Sequence, residues 1–169
     1  KKYYVNNDEF FFTSVTASAD NGFLITGAVQ TTTPGYNGHP FSAAYLLKTD
    51  ANGNKLWDKR FYKSNLDETQ VGQKIIQDSV TKKIIIVGTQ DVGTTQYSNI
   101  MILDSLGNLL VQKGANGLLG NILSDVIKLN DGNYLASGVY IHPEHIINSY
   151  TTDKSYLVKF DINGSQIFS

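Results

Sequence analysis

One phrase is spelled three times along the 169 residues, and this repetition constrains the fold more than any other feature. Tyr45-Leu46-Leu47-Lys48-Thr49-Asp50-Ala51-Asn52-Gly53-Asn54-Lys55-Leu56-Trp57 returns as Asn99-Ile100-Met101-Ile102-Leu103-Asp104-Ser105-Leu106-Gly107-Asn108-Leu109-Leu110-Val111. It returns again as Tyr156-Leu157-Val158-Lys159-Phe160-Asp161-Ile162-Asn163-Gly164-Ser165-Gln166-Ile167-Phe168. A second phrase precedes each copy: Phe23-Leu24-Ile25-Thr26-Gly27, Ile84-Ile85-Ile86-Val87-Gly88 and Tyr134-Leu135-Ala136-Ser137-Gly138. The Asp-x-x-Gly centres are 54 and 57 residues apart and the glycines of the second phrase 61 and 50. Unequal steps with repeated local spelling place the insertions between the phrases, in connections.

Each phrase is rich in β-branched and aromatic residues over five to seven positions and is bounded by Gly, Asn and Asp, the pattern of a strand. Four strands are expected per repeat. They are 11–16, 23–29, 43–49 and 55–61 in the first, 73–78, 83–89, 99–103 and 108–113 in the second, and 124–129, 134–139, 155–160 and 165–168 in the third. No 3.6-residue period interrupts them. Tight turns follow the first strand at Asp20-Asn21-Gly22 and Asn130-Asp131-Gly132, and the third strand at each Asp-x-x-Gly; Ser79 to Lys82 is a weaker turn signal in the middle unit. A run of four-stranded antiparallel units of this kind predicts β-propeller blades. The expected division is 1–7 as the last strand of a preceding blade, then blades at 8–63, 64–116 and 117–169. Lys1-Lys2-Tyr3-Tyr4 resembles Lys59-Arg60-Phe61-Tyr62, the close of the first blade's fourth strand. With propellers built from four to eight blades, these three are expected to be a segment of a larger closed ring.

The spelling Asp-Asn-Gly-Phe-Leu-Ile-Thr-Gly, followed by Tyr-Leu-Leu-Lys-Thr-Asp-Ala-Asn-Gly-Asn-Lys-Leu-Trp, resembles the repeats of bacterial secreted and cell-surface propeller proteins, a WD40-like and quinoprotein-like group. It is similar to the tryptophan-docking repeat, in which a blade-ending Trp packs on the next blade; here that position holds Trp57, Val111 and Phe168. The resemblance implies export to the bacterial surface, the outer membrane or the periplasm. It is informative for fold and much less so for function, because unrelated activities share the repeat.

Fourteen basic against fifteen acidic side chains leave no net field to attract nucleic acid or an anionic membrane. The longest apolar runs are far shorter than the roughly 20 residues of a spanning helix. Without cysteine, disulfides, thiolate nucleophiles and thiolate metal sites are all excluded. No nucleophile elbow, phosphate loop or dinucleotide fingerprint occurs, and no cofactor is expected.

Binding residues concentrate on loops carried by a rigid scaffold. The connections 30–42, 90–98 and 140–154 are predicted to be long, unequal loops at one end of the blades. Tyr36, His39, Phe41, Tyr97, Tyr140, His142, His145 and Tyr150 are the candidate residues there for a protein or glycan partner. His142-Pro143-Glu144-His145, with His39, holds zinc-ligand chemistry, but Pro143 denies it a helical presentation. Asp50-Ala51-Asn52-Gly53-Asn54 superficially resembles a calcium loop but lacks the twelfth-position Glu, Phe61 standing there instead. Asp50, Asp104 and Asp161 are therefore read as turn formers. Asp78 and Asp125 lie near first strands without the pairing that a glycosidase requires. The leading expectation is a non-catalytic binding or scaffolding module. The alternatives are part of a carbohydrate-active or quinone-dependent propeller enzyme, or a structural subunit of an outer-membrane assembly.

Overall fold

The computed structural model describes residues 9–34, 40–62, 68–92, 95–114, 121–140 and 154–168, and these residues form strands and turns without a helix. In chain order the strands are β1 (Glu9–Ala17), β2 (Phe23–Pro34), β3 (Pro40–Thr49), β4 (Lys55–Phe61), β5 (Glu68–Gln77), β6 (Ile84–Val92), β7 (Thr95–Leu103), β8 (Leu109–Lys113), β9 (Asn121–Lys128), β10 (Tyr134–Tyr140), β11 (Lys154–Phe160) and β12 (Gln166–Phe168). They make three four-stranded antiparallel sheets, each built from four consecutive strands lying side by side in chain order. The segment Lys1 to Tyr4, expected to be a strand, lies outside the described residues.

The sheets stack face to face, and alternation along each strand explains how. Ile84 and Ile86 of β6, with Met101 and Leu103 of β7, pack on Leu24, Ala44 and Leu46 of the first sheet. Ile85, Val87, Ile100 and Ile102, from the same two strands, point the other way and pack on Leu123, Val126, Tyr134, Ala136, Tyr156, Val158 and Phe160 of the third. The uninterrupted apolar runs in β6 and β7 thus belong to a sheet covered on both faces. Each large side chain buried there contributes about 1.5–3 kcal/mol. The first strands carry the stacking, β5 packing on β1, β2 and β3, and β9 on β5, β6 and β7. Thr13 Oγ1 donates across the first junction to the Gly72 carbonyl, and the Ile75 amide approaches Ser14 Oγ at 3.4 Å.

Gly27, Gly88 and Gly138 are explained by a bulge. Each sheet has a register shift between its first two strands, at Phe12/Ser14, Gly72/Lys74 and Ser137/Gly138. There a first-strand carbonyl, of Phe11, Val71 or Ile122, comes so close to the second-strand glycine that a Cβ would fall inside its van der Waals surface.

At the opposite end the Asp-x-x-Gly turns repeat one hydrogen-bond pattern. Asp50 accepts from the amides of Asn52 and Asn54, Asp104 from those of Leu106 and Asn108, and Asp161 from those of Asn163 and Ser165. Gly53, Gly107 and Gly164 close these turns at φ of 76°, 78° and 71°, where a side chain is disfavoured. The carboxylates serve the turns, as their sequence context predicts. In the middle sheet the weaker turn is made by Asp78, which accepts from the Val80 and Thr81 amides, with Lys82 at positive φ.

The turn glycines also receive the neighbouring sheet. The Trp57 ring lies over Gly107, where an added methyl would stand 2.8 Å from two ring carbons, and Val111 meets Gly164 in the same way at 3.1 Å. Trp57 is partly buried against the core between the first and second sheets. Trp57→Ala is therefore expected to lower the unfolding free energy by about 2 kcal/mol, below the cost of removing a fully buried Trp. Urea denaturation followed by far-UV circular dichroism measures it, and a loss of only a few tenths would show that this contact is incidental.

The outward faces of the two end sheets remain apolar. On the first, Val29, Ala43, Tyr45 and Leu47 form a buried cluster with Phe10 and Ile25 while Phe12, Val15 and Phe23 beside it are exposed, and on the third Ile127, Leu157 and Phe168 are exposed. By register, Leu157 corresponds to Ile100 and Leu135 to Ile85, the second-sheet residues that the third sheet covers.

Candidate functional site

The end carrying the second-to-third-strand connections holds the predicted site residues that are described. In the first two sheets its form differs from the long loops expected at 30–42 and 90–98, whereas 141–153 of the third connection lie outside the described residues. β2 continues to Pro34 and β3 begins at Pro40, while β6 and β7 stay paired out to Val92 and Thr95, leaving residues 93–94 as the connection. In the second sheet the ladder pairs Thr95, Gln96 and Tyr97 with Val92, Asp91 and Gln90 and so satisfies amides and carbonyls that a loop would leave to water, whereas in the first the ladder is interrupted between Gln30 and Pro34. Tyr97 accordingly sits within β7 opposite Gln90, and Tyr140 ends β10 opposite Lys154 and Asn121; both are half-buried. Neither is a loop residue. Phe41 is in β3. Tyr36, His39, His142, His145 and Tyr150, including all three histidines, lie outside the described residues. Among the described residues no cluster of His, Asp or Glu could hold a metal ion.

Register brings together polar residues that the sequence pattern did not single out. In each sheet the glycine of the second strand lies beside one third-strand residue, and a first-strand residue two positions beyond the glycine's partner shares their face. In the first sheet this pair is Phe10 and Tyr45, whose ring centroids are 4.8 Å apart. In the second it is Gln70 and Asn99, with Asn99 Nδ2 donating to Gln70 Oε1 at 3.4 Å and Gln112 Nε2 bridging both at 3.0 and 3.2 Å. In the third it is Asn121 and Tyr156.

This third pair is different. Asn121 is fully inaccessible, yet its Nδ2, its Oδ1 and the Tyr156 hydroxyl have no hydrogen-bond partner among the described residues. Both face the second sheet: Tyr156 is part of the core between the two, and Asn121 stands two residues from Leu123 in that core. Opposite them the same second-sheet face continues from Val87 through Thr89 to Asp91. Asp91 Oδ1 is buried and unpartnered as well. Burial pushes its carboxyl above the ordinary carboxylate range, against a hydrogen bond with Gln96 that favours the charged form. An apolar interface thus ends in a polar patch, and at Asp91 and Gln96 that patch reaches partial exposure.

The acids considered from sequence have other work. Asp125 is exposed and paired with Lys74 at 3.1 Å. Asp78 is buried and accepts from Lys128 at 2.6 Å and from the Tyr134 hydroxyl at 2.5 Å. Each is engaged by its own lysine, and Asp78 links the second sheet to the third.

Comparison with protein-family models and with curated proteins finds no match to this chain. No helix among the described residues is long and apolar enough to cross a membrane, which leaves crossing by strands untouched.

Proposed function

We propose that the three sheets are consecutive blades of a larger β-propeller that acts as a non-catalytic binding or scaffolding module. The supporting observation is the stack itself. Three sheets of one topology lie in chain order, their first strands packed in succession, and apolar faces on both end sheets repeat the faces covered inside the stack. Exposed apolar side chains such as Phe12, Val15 and Phe23 on the first sheet and Ile127, Leu157 and Phe168 on the third mark contact surfaces, and further blades are the proposed cover. The second-to-third-strand hairpins then emerge together at one end, where Tyr97, Tyr140 and the polar patch lie. That end is the proposed binding face for a protein or glycan partner, and the sequence resemblance points to the bacterial surface or periplasm as the setting.

A glycan array and a quantitative pull-down, run on the wild-type chain and on a Tyr97→Ala/Tyr140→Ala variant with the same unfolding midpoint, test this reading. The variant is expected to bind about tenfold more weakly or worse, the effect of losing aromatic anchors. Cleavage of a glycan by the wild-type chain, or a partner held undiminished by the variant, overturns the reading.

A further inference from the structure

We propose that the polar end of the interface between the second and third sheets binds one neutral, hydroxyl-bearing ligand, a sugar residue, through Asn121, Tyr156 and Asp91. The inference rests on the reading that this end of the molecule is its binding face.

The first ground is the contrast between equivalent positions. Where the first sheet has the Phe10–Tyr45 ring contact and the second an amide network in which Gln70 Nε2 alone lacks a partner, the third places an amide and a phenol none of whose side-chain polar atoms is satisfied. A buried polar atom without a partner costs roughly 1–3 kcal/mol, and native interiors hold few of them. Four such atoms lie at the same end of this interface: Asn121 Nδ2, Asn121 Oδ1, Tyr156 Oη and Asp91 Oδ1.

The ligand class follows from what these atoms can accept and donate. Asn121 Nδ2 only donates, Asn121 Oδ1 and an ionised Asp91 Oδ1 only accept, and Tyr156 Oη does both. A metal ion would satisfy the oxygens and leave the amide N–H groups unpaired. An anion would meet those N–H groups but face two acceptors. A hydroxyl donates and accepts at once, so adjacent hydroxyls on one carbon framework can satisfy all four atoms without introducing charge. One water molecule makes about three hydrogen bonds, so water alone would require several molecules immobilised in one place. Half-buried Tyr140 ends the strand beside Asn121 and offers an aromatic surface at the edge of the patch.

Ligand-observed saturation-transfer NMR and titration calorimetry with glucose, galactose, mannose, N-acetylglucosamine and arabinose, each at up to about 10 mM so that millimolar affinities register, test the proposal. At least one sugar is expected to bind. Asn121→Leu and Tyr156→Phe are each expected to weaken it about tenfold or more, while the unfolding midpoint holds or rises because each removes an unpartnered buried polar atom. Binding that both variants leave unchanged overturns the site while the binding-face reading stands. Absence of binding by all five sugars overturns the ligand class, and with both variants stabilised it identifies internal water instead. The binding-face reading is judged separately, by the Tyr97→Ala/Tyr140→Ala pull-down.

Discussion

Gly88→Ala is expected to lower the unfolding free energy by about 3 kcal/mol or more, at the upper end of overpacking losses. The reason is a backbone atom. A Cβ at residue 88 would overlap the Val71 carbonyl oxygen and crowd the Gln73 amide, which stands 3.0 Å from the position it would take. A flexible side chain could rotate away, but the β5 bulge cannot, because its residues continue into ladder pairs with β6 on both sides. Relief would require unmaking the bulge, and a one-residue slip sends every following side chain to the opposite face. Ile75 would then leave the core between the first two sheets. Gly132→Ala is the informative control: its φ is 85°, but nothing lies within 4 Å of the added carbon, so only the left-handed backbone cost of about 1–2 kcal/mol applies. Urea unfolding of the two variants separates the effects. A loss at residue 88 no larger than that at residue 132 would mean that the bulge yields easily and that the repeated glycine has another cause.

Gly88 also marks where sequence reasoning stops. That Gly27, Gly88 and Gly138 recur after an apolar run is visible in the letters; that each faces a bulged carbonyl is not, because the bulge arises from pairing across strands. The strands themselves were legible: Ile84 to Val87 and Ile100 to Leu103 are too apolar and β-branched to lie anywhere but in a buried sheet, and the Asp-x-x-Gly turns carry their own hydrogen-bonding side chain. Less of the candidate site could be read. Gln70 and Asn121 fell before the predicted starts of their strands, at 73 and 124, since an amide lowers the apparent strand character of the residues around it. Asn99 was placed in a strand, but its partner Gln70 is 29 residues away in sequence. Aromatic content drew attention to Tyr97 and Tyr140 as loop residues, whereas ladder pairing extends through both. A polar residue at a core-facing position inside a strand, as Asn99 is, was the available signal.

Asp78 is the second residue whose removal should be severe. Asp78→Ala is expected to cost about 3 kcal/mol, the lower end of the range for breaking a buried ion pair from one side, because the lysine left behind is partly exposed. The side chain is 2% exposed, its Oδ2 is shared by Lys128 Nζ and the Tyr134 hydroxyl from the third sheet, and its Oδ1 accepts the Val80 and Thr81 amides that close its own turn. Burial alone would raise its pKa. The lysine, the phenol and the two amides outweigh burial and hold the carboxyl well below the usual carboxylate range, while burial and the nearby carboxylate push the Tyr134 phenol up. Because the folded-state pKa is the lower one, the protein binds fewer protons folded than unfolded between the two values. The contribution is therefore complete above the unfolded carboxyl's pKa, near 4, and drains away as the pH falls to 2 and below. Asp20 and Asp131, each lowered to about 2 chiefly by Lys48 and Lys159, titrate in the same window. Their exposure leaves them a small share of the slope. In Asp78→Asn the amide can still take the turn hydrogen bonds, and Lys128, itself partly exposed, can recover water. That variant should lose less stability at pH 7 than Asp78→Ala, and its stability should depend less on pH between 4 and 2 than that of the wild type. Equal pH slopes in the two proteins would show that acid sensitivity resides elsewhere. Asp78 clamps the second and third sheets at the end opposite Asn121 and Asp91, so Asp78→Asn should lower stability while leaving sugar affinity unchanged at pH 7, a separation that removal of Asn121 reverses.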